Sequence, residues 1–141
     1  MSSLYGPVIF IEGDLEDQEF ILEAYKTLNL SNSWKLFTKA QDALTYLIAT
    51  TDKPILIVSE INLPGMDGIA LRKAILQNEY LRKKSIPFIY LTTNHDRKDV
   101  EAAYELLVQG YFIKKYTIPE ITQMLEKIVT YWKECFHPNN L

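Results

Sequence analysis

The sequence is poor in several things whose absence narrows its function. It has a single cysteine, Cys135, which excludes an internal disulfide framework and suits a reducing compartment. No stretch approaches 18 apolar residues, so no transmembrane helix is expected. The segment Met1 to Asp14 lacks a basic leader region, and its apolar run is too short for a signal peptide. Positive charge is not in excess. Lys and Arg total 15 against 18 Asp and Glu, and the net charge of −3 gives no reason to expect a nucleic-acid partner. Glycine is scarce and forms no phosphate cradle, and neither G-x-S-x-G nor a nucleotide fingerprint is present. Repeats, low-complexity tracts and interdomain linkers are missing as well. A cytoplasmic chain with neither a membrane nor a nucleic-acid role is expected.

What is present is an ordinary globular balance, 48% hydrophobic and 23% charged over 141 residues. Surface scaling predicts roughly 7,500 Å² exposed against about 24,000 Å² for the open chain, enough burial for one core. Five short runs read as strands: Val8 to Ile11, Trp34 to Phe37, Ile55 to Val58, Phe88 to Leu91 and Tyr111 to Ile113. The first, third and fourth are apolar throughout, as in strands covered on both faces, whereas Lys35 marks the second as an edge.

Helical patterns lie between these runs. Asp14 precedes a stripe of Phe20, Ile21, Ala24 and Leu28. Thr38 and Gln41 have capping-box spacing before Ala40, Ala43, Leu44, Leu47 and Ile48. A third helix follows Pro64-Gly65 with Ile69, Ala70 and Leu76. Asp96 and Asp99 open a fourth, with Val100, Ala103, Tyr104 and Leu107 inward. Thr117 and Glu120 cap the last, whose stripe is Ile121, Leu125, Ile128 and Trp132. The alternation βαβαβαβαβα with right-handed crossovers predicts an α/β fold, a doubly wound parallel sheet with helices on both faces. Residues 1–6 and 136–141 read as tails around a domain at 7–135.

In such folds ligands bind beyond the carboxyl ends of the central strands. The residues there are Glu12-Gly13-Asp14, Glu60-Ile61-Asn62, Thr92-Thr93-Asn94 and Lys114-Lys115.

Those strand ends, with the run from Pro54 through Glu60 to Pro64-Gly65-Met66-Asp67-Gly68, the Leu91-Thr92-Thr93 end and Gly110 to Lys114, resemble a response-regulator receiver domain. The resemblance covers residues 7 to 132. It implies a flavodoxin-like, five-stranded sheet of order 2-1-3-4-5 and a part in two-component phosphorelay signalling. In that family an acidic pair after strand one and an aspartate ending strand three bind Mg²⁺. The aspartate takes a phosphoryl group from a kinase histidine, and a Thr or Ser and a lysine hold the phosphoryl oxygens.

Two of these positions depart from the pattern. Glu60 stands at the acceptor, one methylene longer than aspartate, where a misplacement of about 1 Å can cost on the order of a hundredfold in rate. The acidic pair reads Glu12-Gly13, so one metal ligand has no side chain, and Mg²⁺ leans on only one or two carboxylates. No metal or other cofactor is expected. If one binds, Glu12, Asp14 and Glu60 are the candidates, with Asn62 offering a backbone carbonyl. The plainer role for Asp14 is a helix N-cap. Thr92 and Lys114 remain in place, and a Lys114–Glu60 pair would either mimic the phosphorylated state in part or simply neutralise crowded carboxylates. Tyr111 stands at the family's switch aromatic position beside Thr92, and reads equally as a half-buried aromatic of strand five. Lys115 replaces the usual proline, so a trans peptide is expected there.

His95 and His137 lack catalytic neighbours in the sequence, Cys135 lacks a zinc partner, and Arg82-Lys83-Lys84 reads as a solvated loop. Tyr80, Tyr116, Tyr131 and Trp132 are candidates for an interface. The sequence thus predicts an atypical, non-enzymatic, single-domain regulator that binds a protein without being phosphorylated. The expected partner is a histidine kinase or another signalling protein, docking on the fourth helix, strand five and the last helix, with homodimerisation a further expectation. Two alternatives stay open: a working receiver that accepts phosphate on Glu60 with Mg²⁺, and a small-molecule binder or enzyme on the same fold.

Overall fold

The computed structural model describes residues 6–136 and 138–140; His137 lies outside them, as do residues 1–5 of the expected N-terminal tail. Strands β1 (Val8–Ile11), β3 (Leu56–Ser59) and β4 (Phe88–Thr92) are buried along their whole length. Strands β2 (Trp34–Phe37) and β5 (Gly110–Ile113) are only partly covered and form the two edges, with Lys35 exposed. All neighbours pair in parallel, in the order β2-β1-β3-β4-β5. This is the doubly wound parallel sheet that the alternation predicted, in the flavodoxin-like order that the resemblance implied.

Side chains alternate across a strand, so the continuous apolar runs divide between two cores. Ile9, Ile11, Ile57, Phe88 and Tyr90 face α2 (Ala40–Ala49), α3 (Gly68–Gln77) and α5 (Arg97–Glu105). Val8, Phe10, Leu56, Val58 and Leu91 face α1 (Leu15–Thr27) and α6 (Ile118–Glu134). An additional short helix, α4 (Glu79–Lys84), sits between α3 and β4. Arg82, Lys83 and Lys84 form its last turn rather than a solvated loop, complementing the dipole there. The fourth and fifth helices expected from sequence are therefore α5 and α6. No described helix is long and apolar enough to cross a membrane.

Several local expectations are corrected. Helix α2 is capped at Lys39 without a side-chain bond, and the Thr38 hydroxyl instead accepts from Gln18 Nε2 at 3.3 Å. Ile48 is exposed. On α3 the buried residues are Gly68, Leu71, Arg72 and Ile75, while Ala70 is exposed and Ile69 and Leu76 are half-buried. On and after α5, Tyr104 and Leu107 point to solvent, and Val108 takes the buried position. Asp96 makes no side-chain cap to α5. At the C-terminal end, Pro138–Asn140 form a 3-10 turn, and the buried Asn139 donates from Nδ2 to Pro54 O at 2.6 Å.

Asp67 caps α3, its Oδ1 accepting from Ala70 N at 2.8 Å. Asp67→Ala is expected to lower stability by about 1 kcal/mol. Urea unfolding with an unchanged slope but a lower midpoint would report that loss.

Candidate functional site

The carboxyl ends of β1, β3, β4 and β5 meet in one crevice, and Lys114 organises it. The residue directly follows β5, where its backbone N–H donates to Thr92 O at 3.0 Å. Its side chain is 6% exposed and its Nζ lies 2.6 Å from Glu12 Oε1, 2.6 Å from Asp17 Oδ2 and 2.8 Å from Glu60 Oε1. The contact with Glu12 Oε1 is an ion pair outside hydrogen-bond geometry, so its attraction is coulombic. Those to Asp17 and Glu60 are charge-assisted hydrogen bonds. Three carboxylates thus share one ammonium.

The second oxygen of Glu60 is also engaged. Oε2 accepts from Ile61 N at 2.6 Å and from Asn62 N at 3.1 Å. Glu12 Oε2 accepts from Asp14 N at 3.1 Å. Burial raises the Glu12 carboxyl above its ordinary range, with Lys114 and the Asp14 amide pulling it back. Burial also opposes the charge on Lys114, but its hydrogen bonds to Asp17 and Glu60 and the adjoining Glu12 carboxylate prevail and hold it well above the usual lysine value.

The expected site residues are distributed as follows. Asp14 is exposed and its carboxylate caps α1, accepting from Asp17 N at 2.9 Å. It contributes its amide rather than its charge to the crevice. Asn62 likewise contributes its amide. Gly13 adjoins the crevice with room beside it. An added Cβ would meet Thr38 O at 3.5 Å, Leu63 Cδ2 at 3.6 Å and Pro64 Cδ at 3.7 Å, all ordinary contacts. Among the described residues no group of three or more His, Cys, Asp or Glu is arranged to hold a metal ion. The carboxylates present converge on an ammonium, a poor fit to Mg²⁺, which demands octahedral oxygen ligation.

Thr92 is fully buried, its Oγ1 accepting from Asn94 N at 3.2 Å. Tyr111 is half-buried; its hydroxyl donates to Asn94 O at 2.5 Å and its ring stands edge-on to Tyr90 at 6.0 Å. Burial, with Asp99, Glu60 and Asp96 nearby, pushes its hydroxyl up to about 12. His95 is exposed, with Nδ1 3.2 Å from Thr93 O. The Lys114–Lys115 peptide is trans.

Sequence reasoning missed Asp17, one turn into α1. Its only signal was an acidic residue three positions after the cap, on the turn that faces the crevice. It also missed Gln18, buried beneath the site with Nε2 donating to Glu12 O at 2.6 Å.

The fold and these strand ends define a receiver domain. Residues 14–126 match the response regulator receiver domain family, and the chain belongs to it. Among its relatives is the response regulator Rcp1 of Synechocystis sp., 29% identical over 132 residues that cover 90% of this chain and 88% of Rcp1. The Mn²⁺-bound form of Rcp1 aligns in three dimensions with a TM-score of 0.78 and 28% identity, over 93% of this chain and 96% of that one. The phosphorylated cyanobacterial phytochrome response regulator RcpA shares the fold at a TM-score of 0.83 and 24% identity, covering 95% of this chain and 99% of its own. The DNA-binding transcriptional regulator NtrC of Salmonella typhimurium is 30% identical over 105 residues. That match covers 74% of this chain but only 21% of NtrC, so the chain spans about a fifth of that relative. Receiver domains are signalling modules of two-component systems and work with other signalling proteins such as kinases; those that function with metal bind Mg²⁺ or Mn²⁺.

Proposed function

We propose that this receiver domain works without phosphorylation, as a protein-interaction module whose acceptor position is permanently tied to Lys114. One observation carries the reading: both oxygens of Glu60 are taken, Oε1 by the Lys114 ammonium and Oε2 by the Ile61 and Asn62 amides. A nucleophilic oxygen must be free to approach phosphorus in line, and the metal charge that would neutralise the transferring group has lost the ligand at Gly13. The Glu60–Lys114 pair supplies part of what a phosphoryl group would, one charge rather than nearly two. With Asp17 and Glu12 on the same ammonium, neutralisation of crowded carboxylates is served by the same contacts.

The output is contact with a protein partner, a histidine kinase or another signalling protein, through α5, β5 and α6. Tyr104, Ile113, Tyr116 and Tyr131 stand exposed along these elements and support that surface. A second copy of the chain is a further candidate for it.

Intact-mass analysis after incubation with acetyl phosphate and Mg²⁺ tests the reading. The natural chain is expected to gain no phosphoryl group, whereas a Glu60→Asp, Gly13→Asp double variant, whose new Cβ at position 13 meets only ordinary contacts, gains one. A phosphoryl group on the natural chain that Glu60→Gln abolishes would instead make it a working phosphorelay component.

A further inference from the structure

Helix α5 is held by its ends more than by its face. Of its nine residues only Ala103 is buried, while Tyr104 is 50% exposed and Leu107, just beyond the helix, is 69% exposed. Little apolar burial secures it. Its last turn carries no basic residue to meet the dipole, and the chain leaves it through Leu107 at φ +61°, a left-handed conformation that penalises a side chain with Cβ.

The groups that meet this turn come from α3. Arg72 is 5% exposed; its Nε donates to Leu106 O at 2.9 Å and its Nη2 to Leu107 O at 3.1 Å, while the guanidinium lies 5.3 Å from the Phe88 ring centre. Among the described residues no carboxylate forms an ion pair with it. A buried cation needs a counterpart, and the available one is the negative end of α5 together with an aromatic face. At the other end, the loop before α5 is fixed by Tyr111, whose hydroxyl holds Asn94 O, while Asn94 Nδ2 donates to Asp99 Oδ2 at 2.7 Å.

We infer that Arg72 is a positioning residue that latches the C-terminal end of α5 to α3. Helix α5 is thereby pinned at both ends by polar bonds, with Arg72 the one that can be released without disturbing the crevice. Releasing it frees the end that displays Tyr104 and Leu107. The latch is independent of whether Glu60 accepts phosphate, because Arg72 touches none of the crevice carboxylates.

Hydrogen exchange on the full chain tests it, comparing the natural protein with Arg72→Met, Arg72→Lys and Ile75→Val. Methionine keeps an unbranched stem against Phe88 but donates nothing. Ile75→Val trims the core from the same helix and serves as the measure of general destabilisation. In Arg72→Met the amides of Leu106, Leu107 and Val108, and those along α5, are expected to exchange ~10-fold faster or more. Amides of β1 and β3 change no more than in Ile75→Val. Arg72→Lys, a point donor in place of the two-pronged fork, falls between the natural chain and Arg72→Met, and decides the matter alone if the methionine variant does not fold. An unchanged α5, or an acceleration spread evenly over the sheet as in Ile75→Val, overturns the latch.

Discussion

Lys114→Met is expected to cost ~3–5 kcal/mol of unfolding free energy near neutral pH, because it leaves buried carboxylates without their cation. Glu12, Asp17 and Glu60 all lie within 2.8 Å of the ammonium, and all three are largely shielded from water. A loss of this size is a large part of the 5–15 kcal/mol that roughly holds a domain folded. The pH dependence carries the sign. Lys114 has a folded pKa above its ordinary 10.5, so its contribution is complete below that value and is lost only as pH rises through the folded one. Glu12 is shifted upward from 4.5, so the folded state binds its proton more tightly than the unfolded state, and acidification relieves the cost of its buried charge. Removing Lys114 enlarges that cost. The stability gap between variant and natural chain should therefore be widest at neutral pH and narrow as acidification protonates Glu12. Urea unfolding of both proteins at several pH values measures it, and a gap that stays constant would mean the ammonium contributes packing rather than charge.

Gly68→Ala is expected to cost about 3 kcal/mol, at the upper end of overpacking effects. An added Cβ would stand 2.3 Å from Glu60 O and 2.8 Å from Ile61 Cα, with Tyr90 Cε1 at 3.0 Å. The first two obstacles are backbone and have no rotamer by which to retreat. Gly68 N also donates to Ile61 O at 2.8 Å, and its carbonyl accepts from the Tyr90 hydroxyl at 2.6 Å, so the start of α3 is clamped against the end of β3. Gly65 is the natural comparison. It has φ +74° but nothing within 4 Å of an added Cβ, so alanine there should cost only about 1 kcal/mol of backbone strain. Thermal unfolding of the two variants should rank Gly68→Ala well below Gly65→Ala. Equal midpoints would show that the α3–β3 junction relaxes.

The sheet was legible because each buried strand is a short β-branched or aromatic run with its ends marked by turn residues. The strand ends then carried the crevice with them, so Glu12, Glu60, Thr92 and Lys114 could be named before their contacts were known. Helix phases were harder. The buried stripe of α3 contains Gly68 and Arg72, so hydrophobicity alone points to the wrong face. Spacing alone continues the helix from Asp96 to Leu107, yet α5 ends at Glu105 and the left-handed Leu107 turns the chain away. Thr38 fits a capping box, but its hydroxyl serves Gln18 across the sheet end. Asp17 shows the general limit. An acidic residue in a first helical turn reads as a complement to the dipole, and only its meeting with Lys114, 97 residues away, gives it another role.

Helix α6 begins beside the crevice and carries the chain away from it. Its 17 residues span about 25 Å at the rise of an α-helix, so Cys135, the single thiol in the sequence, caps the end remote from Lys114. A dye coupled to that sulfur would stand a helix length from the carboxylates. Encounters on α6 could then be followed by fluorescence while the Glu60–Lys114 pair is left untouched.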